Sequence, residues 1–156
     1  MQAPTHFLTG MVIYIALSSW FSALPSWLLI SITVIASLLS HFLLDCLAKL
    51  TYHLPDPQWK DPFWVTYHVV FVYVGTLVML VVFWKEYWWV MFASIIPDII
   101  DWYFLRPFFK KGPVVHPLID WMRKHWFNWV PDWTDRKWTV ALEIAADVGL
   151  LLIVIL

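Results

Sequence analysis

The chain is short of what most soluble proteins are made from. Only 13% of its 156 residues are charged, where a soluble domain carries about a quarter. It has four glycines and no two are neighbours, so no glycine-rich loop can cradle a phosphate on backbone N–H groups. Its one cysteine, Cys46, excludes an internal disulfide and a thiolate zinc site. Neither sign of charge dominates: ten Lys and Arg meet eleven Asp and Glu, for a net charge of −1. Nothing in that balance favours nucleic acid. A nucleophilic serine triad has no footing either. Ser18, Ser19, Ser22, Ser31 and Ser37 lie in apolar stretches without an elbow motif, and only Ser40 adjoins a histidine. Repeats and low-complexity tracts are missing as well.

What fills the chain is apolar. Hydrophobic residues make up 62% and aromatics 19%, and the mean hydropathy is +0.71, which points to a membrane protein. One helical domain over residues 1–156 is expected, with no separate soluble module. A bilayer core of about 30 Å takes roughly 20 helical residues. Five apolar runs meet or approach that length: residues 4–23, 25–47, 62–84, 87–105 and 138–156. Pro4, Pro25 and Pro62 fall near helix starts, where a missing N–H is tolerated. Pro97 lies inside the fourth run and should kink it. The first run has no Lys or Arg before it and no small-residue cleavage site after it, so it is expected to be retained.

Residues 113–133 differ in kind. Leu118, Met122, Trp126 and Trp129 recur at helical spacing, with Asp120, Arg123, Lys124 and Asn128 on other faces. That pattern suits an amphipathic helix on the membrane surface. The fold class is thus all-α: a bundle of about five transmembrane helices plus an interfacial helix. The basic residues orient it. Five crossings place Lys49, Lys60, Arg106, Lys110, Lys111, Arg123, Lys124, Arg136 and Lys137 on one side and only Lys85 on the other. The basic side is therefore cytoplasmic, the N-terminus lies there, the C-terminus lies outside, and the location is the plasma (inner) membrane.

Ionisable side chains inside such runs are expensive and rare. Here His6, His41, Asp45, His68, Asp98, Asp101, Glu143 and Asp147 all fall in or at the edge of an apolar run. At 1.5 Å per residue from the cytoplasmic helix ends, they fall within about 14 Å of that side. His41 and Asp45 are four apart, Asp98 and Asp101 three, Glu143 and Asp147 four, so each pair shares one helix face. Crowded carboxylates with no Lys or Arg among them would repel unless a cation balanced them. Imidazole and carboxylate together suit Zn, Mn or Fe, as one or two divalent ions. The expected ligands are His6, His41, Asp45, Asp98 and Asp101, with Glu143, Asp147 or His68 as general base or supporting residue. Singly, His68 also reads as a packed histidine and Glu143 and Asp147 as groups facing a vestibule. His116, ahead of Pro117, could fold back over the site; His53 and His125 read as solvated.

Three stretches resemble a family of bacterial and archaeal inner-membrane proteins described as membrane-bound metal-dependent hydrolases. His6-Phe7-Leu8-Thr9-Gly10 is similar to that family's N-terminal histidine and glycine. Ser40-His41-Phe42-Leu43-Leu44-Asp45 is similar to its His-x-x-x-Asp at a helix end, and Pro97-Asp98-Ile99-Ile100-Asp101 to its Pro-Asp-x-Asp-His. In this chain the second aspartate comes one residue later and Trp102 follows it. The family's downstream His-Arg-Gly-x-Thr-His is missing, and Val115-His116-Pro117 is at most a remnant of it. The resemblance implies a metal site more firmly than a reaction.

Three functions follow as expectations. The first is a membrane-embedded metal-dependent hydrolase acting on an amphiphilic, lipid-like ester or phosphoester at the cytoplasmic leaflet. The second is a non-catalytic small subunit or scaffold of a larger membrane complex, in which the polar layer is interhelical bonding. The third is a proton or cation transporter, against which the outer half offers no ionisable group. The partners are membrane lipids, a lipid-like substrate or membrane-complex subunits, and no nucleic acid.

Overall fold

The structure is a computed structural model that describes residues 2–54 and 56–156. All regular structure among them is helical. Helix α1 (Ala3–Trp20) starts with Pro4 in its first turn and ends where the Phe21 N–H closes on the Leu17 carbonyl. Pro25 sets the start of α2 (Ser26–Leu47), which tightens into a 3₁₀ turn at Ala48–Leu50. Helix α3 (Pro62–Ser94) is capped by Asp61, whose carboxylate accepts the Phe63 N–H at 3.0 Å. It contains a π-helical segment, His68–Val74. Helix α4 follows as Ile96–Asp98, a π segment Ile99–Leu105, and Arg106–Phe109. Helix α5 (His116–His125) and helix α6 (Val140–Ile155) complete the chain.

Three helices are long and apolar enough to cross a membrane: Ser26–Leu50, Pro62–Ser94 and Lys137–Ile155. That is fewer than the five predicted, for two physical reasons. Helix α1 is diluted by Thr5, His6, Thr9, Gly10, Ser18 and Ser19. It can carry them because it is the central helix, packed against α2, α3 and α6. The third and fourth predicted runs, in turn, join through Lys85 and Glu86 into one helical run, and the chain breaks instead at Ile95. Pro97 therefore does not kink a continuing helix. It sits in the first turn of α4, where it has no intrahelical N–H to lose.

The long run cannot be straight. A Cβ on Gly75 would lie 3.5 Å from Pro4 Cγ, and one on Gly10 would lie 3.1 Å from Ser94 Cβ. Pro4 and Gly10 stand about 9 Å apart along α1, whereas Gly75 and Ser94 on a straight helix would stand about 28 Å apart. Both contacts hold only if α3 bends back on itself between Gly75 and Ser94, the stretch that contains Lys85 and Glu86.

Packing is polar inside and apolar outside. Thr33, Ser37, His41 and Asp45 form a buried stripe along α2, while Ile35, Leu39, Val81 and Ile153 are more than half exposed. Inverted faces of this kind fit a hydrocarbon surrounding. One core of Phe7, Leu8, Met11, Met79, Val90 and Met91 wraps α1; another gathers Tyr52, Trp64, Tyr67, Val72 and Val140 near the other end of α3. The predicted surface helix is shorter than 113–133, because the Trp126 N–H closes on Met122 and ends it. Ile119 is its buried residue, and Leu118, Trp126 and Trp129 are exposed.

Candidate metal centre

Four side chains from three elements converge. Helix α2 supplies His41 and Asp45, one turn apart; the first turn of α4 supplies Asp98; the first residue of α5 supplies His116. One ligand atom from each lies within 4.8 Å of the others, so the group could hold a metal ion. Its geometry is most telling at the imidazoles. His41 Nδ1 lies 2.9 Å from the Ser94 carbonyl oxygen, which can only accept, so the proton sits on Nδ1. His41 Nε2 is buried and faces Asp45 Oδ2 at 3.3 Å and Asp98 Oδ1 at 3.9 Å. A nitrogen aimed at two carboxylates calls for positive charge between them, as a second ring proton or as a metal ion. The donor set fits a divalent ion on that ground.

His116 repeats the arrangement. Its Nδ1 donates to Asp101 Oδ2 at 2.7 Å, and its Nε2 faces Asp98 Oδ1 at 3.1 Å and Asp45 Oδ2 at 3.6 Å. The Trp102 indole ring packs beside the His116 ring at 5.0 Å between centroids. Burial opposes a charge on His116, but Asp98 and Asp101 outweigh it and raise the imidazole to about 9. Asp101 is fully buried and also accepts the backbone N–H groups of Val114, Val115 and His116. It holds the start of α5 and fixes the His116 ring, as carboxylates behind metal-binding histidines do.

Of the five expected ligands, the structure gathers His41, Asp45 and Asp98 in the group. His6 and Asp101 stand one hydrogen bond behind it. His6 Nε2 lies 3.2 Å from Asp45 Oδ1, and its ring stacks on His41 at 4.2 Å. Asp101 spends its oxygens on the loop and on His116. The expected bases lie elsewhere, and none lines the cavity over the group. Glu143 accepts the Gln2 N–H, the Thr5 hydroxyl and the Tyr67 hydroxyl. Asp147 is one turn further along α6, and His68 stacks on Trp64 with its Nδ1 bonded to that residue's carbonyl.

The cavity has a volume of about 620 Å³. Asp45, Asp98 and His116 of the group line it together with Trp102, Leu54 and the basic side chains Lys49, His53, Arg106 and Arg123 (its basic rim). Backbone bonds from Trp133 N to the Lys49 carbonyl and from His53 N to the Thr134 carbonyl hold that rim together. Arg123 donates to the Asp45 carbonyl at 2.7 Å and ties α5 to the end of α2. Sequence reasoning gave His116 only a marginal place and passed over the basic rim. Pro117 after His116, at a helix start downstream of a buried aspartate, is the local signal that could have promoted it. Comparison with protein-family models, curated proteins and solved structures gives no match.

Proposed function

We propose that the chain is a membrane-embedded metal-dependent hydrolase acting on an amphiphilic, lipid-like ester or phosphoester at the cytoplasmic leaflet, akin to the inner-membrane family its short motifs resemble. The observation that carries this is the convergence of His41, Asp45, Asp98 and His116, with ligand atoms within 4.8 Å of one another, beside an open cavity. In this reading α3 crosses the bilayer twice, reversing near Lys85, and the chain crosses five times with its basic loops inside. The bend that the Gly75 and Gly10 contacts require supports that topology, as does the placement of Lys49, Arg106 and Arg123 around one cavity.

A bound Zn, Mn or Fe ion would supply a water of lowered pKa and a Lewis acid. His41, Asp45, Asp98 and His116 would hold it. His6 keeps Asp45 aimed, and Asp101 keeps His116 aimed. Asp98, a quarter exposed, is the carboxylate best placed to take a proton from a water in the cavity. Leu54, Trp102 and Pro113 give an amphiphile apolar surface beside the group.

Ester turnover in detergent tests this. Hydrolysis of a short-chain ester or phosphoester should appear with added Mn or Zn, vanish with chelator, and fall at least about a hundredfold in Asp98→Asn. Turnover that ignores both chelator and Asp98→Asn would overturn the assignment.

A further inference from the structure

The geometry points to a phosphoester, not a carboxylic ester, as the ligand of this cavity, with its phosphate held between the metal group and the Arg106 and Lys49 side chains; this rests on the hydrolase reading above. The charge around the cavity carries it. Four carboxylates and three permanent cations line the space. A divalent ion would balance Asp45 and Asp98. Arg123 is paired with Asp120 at 3.3 Å. Asp132 is engaged by the Thr134 hydroxyl at 2.7 Å and feels Lys49 only at longer range. Among the described residues neither Lys49 nor Arg106 has a carboxylate partner, and the Arg106 guanidinium rests over the Trp102 ring at 5.7 Å. Counted formally, the lining with a divalent ion bound carries one net positive charge, and Lys49 and Arg106 are the cations left to meet an anion.

Chemistry then separates the two ester classes. A carboxylic ester enters neutral and develops one oxyanion, which the metal alone can stabilise. A phosphoester enters as an anion and spreads charge over several phosphoryl oxygens as it reacts, so it calls for cations on more than one side. An arginine beside an indole face keeps its planar fork available to meet two such oxygens at once. In hydrolysis the water oxygen ends on phosphorus, the P–O bond to the alcohol breaks, and the departing alcohol oxygen takes one water proton. A lipid headgroup and a free phosphoester both present this phosphate, and the basic side chains recognise what the two share.

The test is calorimetric titration of the purified, manganese-loaded protein in detergent, with metal content measured on the same samples. The probes are inorganic phosphate, dihexanoyl phosphatidic acid and uncharged dihexanoylglycerol. Both phosphate probes should bind, and Arg106→Gln and Lys49→Gln should each weaken them roughly tenfold with metal content unchanged. Lys124→Gln, exposed and outside the cavity, should bind like the wild type. Phosphatidic acid binding well above inorganic phosphate marks a lipid source; equal binding marks a free one. Unchanged phosphate affinity in Arg106→Gln, or dihexanoylglycerol binding as well as phosphatidic acid, overturns the inference even if metal is present. Phosphate binding that depends on Arg106 in a chain holding no metal would overturn the metal reading and phosphoester hydrolysis with it, leaving only a basic phosphate site. A chain holding neither refutes both.

Discussion

At the scale of single residues, the site is a set of imidazole rings locked by their rear nitrogens. Ser94 O holds His41 and Asp101 holds His116, each leaving Nε2 free to face the carboxylates. Removing such a rear partner typically costs 10- to 100-fold in metal affinity. Asp101→Ala should therefore weaken metal binding by about that factor although Asp101 is outside the group, as a competition titration against a chelating dye will measure. The charge on His116 sets a pH dependence. Its pKa is raised to about 9, so the metal-free imidazole is protonated at neutral pH and an arriving ion must displace that proton. Affinity should rise with pH toward about 9 and then level, with protons released on binding; His116→Gln should flatten that part of the profile. Part of this was legible in sequence. The i, i+4 pair His41/Asp45 and the Pro97-Asp98 turn announced themselves by spacing, because a helix converts spacing into direction. His116 did not, since it arrives through a loop whose path is fixed by hydrogen bonds to Asp101, and no periodicity encodes that.

At the scale of helices, α1 holds the molecule together through two unlike faces. One face sets His6 behind the metal group. The other joins α3 and α6 through Thr5 and the Glu143 carboxylate, which also takes the Tyr67 hydroxyl and the Gln2 N–H. Interhelical hydrogen bonds in membranes average about 0.6 kcal/mol each, so Glu143→Ala should cost about 2 kcal/mol of stability in detergent unfolding. Its metal content should stay at the wild-type level, which separates it from the ligand group. Gly10 marks the tightest approach: a Cβ there would meet Ser94 Cβ at 3.1 Å and the Val90 carbonyl at 3.2 Å. Gly10→Leu should destabilise by about 1–3 kcal/mol through overpacking, visible as a lowered melting temperature. Composition and depth placed Glu143 and Asp147 in the same layer as the ligands. They could not tell which side of α1 that pair would occupy, because the angle of α6 about its neighbours is set by packing and not by its own sequence.

At the scale of the whole molecule, hydropathy identified the helical class and the apolar runs, but not where one helix ends and the next begins. The run through Lys85 and Glu86 stays helical while its two halves pack on the same short stretch of α1. In the proposed topology a reversal there puts Lys85 and Lys110 on opposite faces of the membrane. In intact cells an impermeant thiol reagent should label Lys85→Cys from outside and leave Lys110→Cys untouched; labelling of both from one side would rule out the double crossing. Cys46 is buried and gives little background. The centre of the account is the metal, and one measurement reaches it directly: elemental analysis of purified wild-type protein beside His41→Ala, His116→Ala and Glu143→Ala. The expected result is one or two Zn, Mn or Fe per wild-type chain, lost in both histidine variants and kept in Glu143→Ala. Wild-type protein without stoichiometric metal, or a His116→Ala variant that keeps it in full, would contradict the site described here.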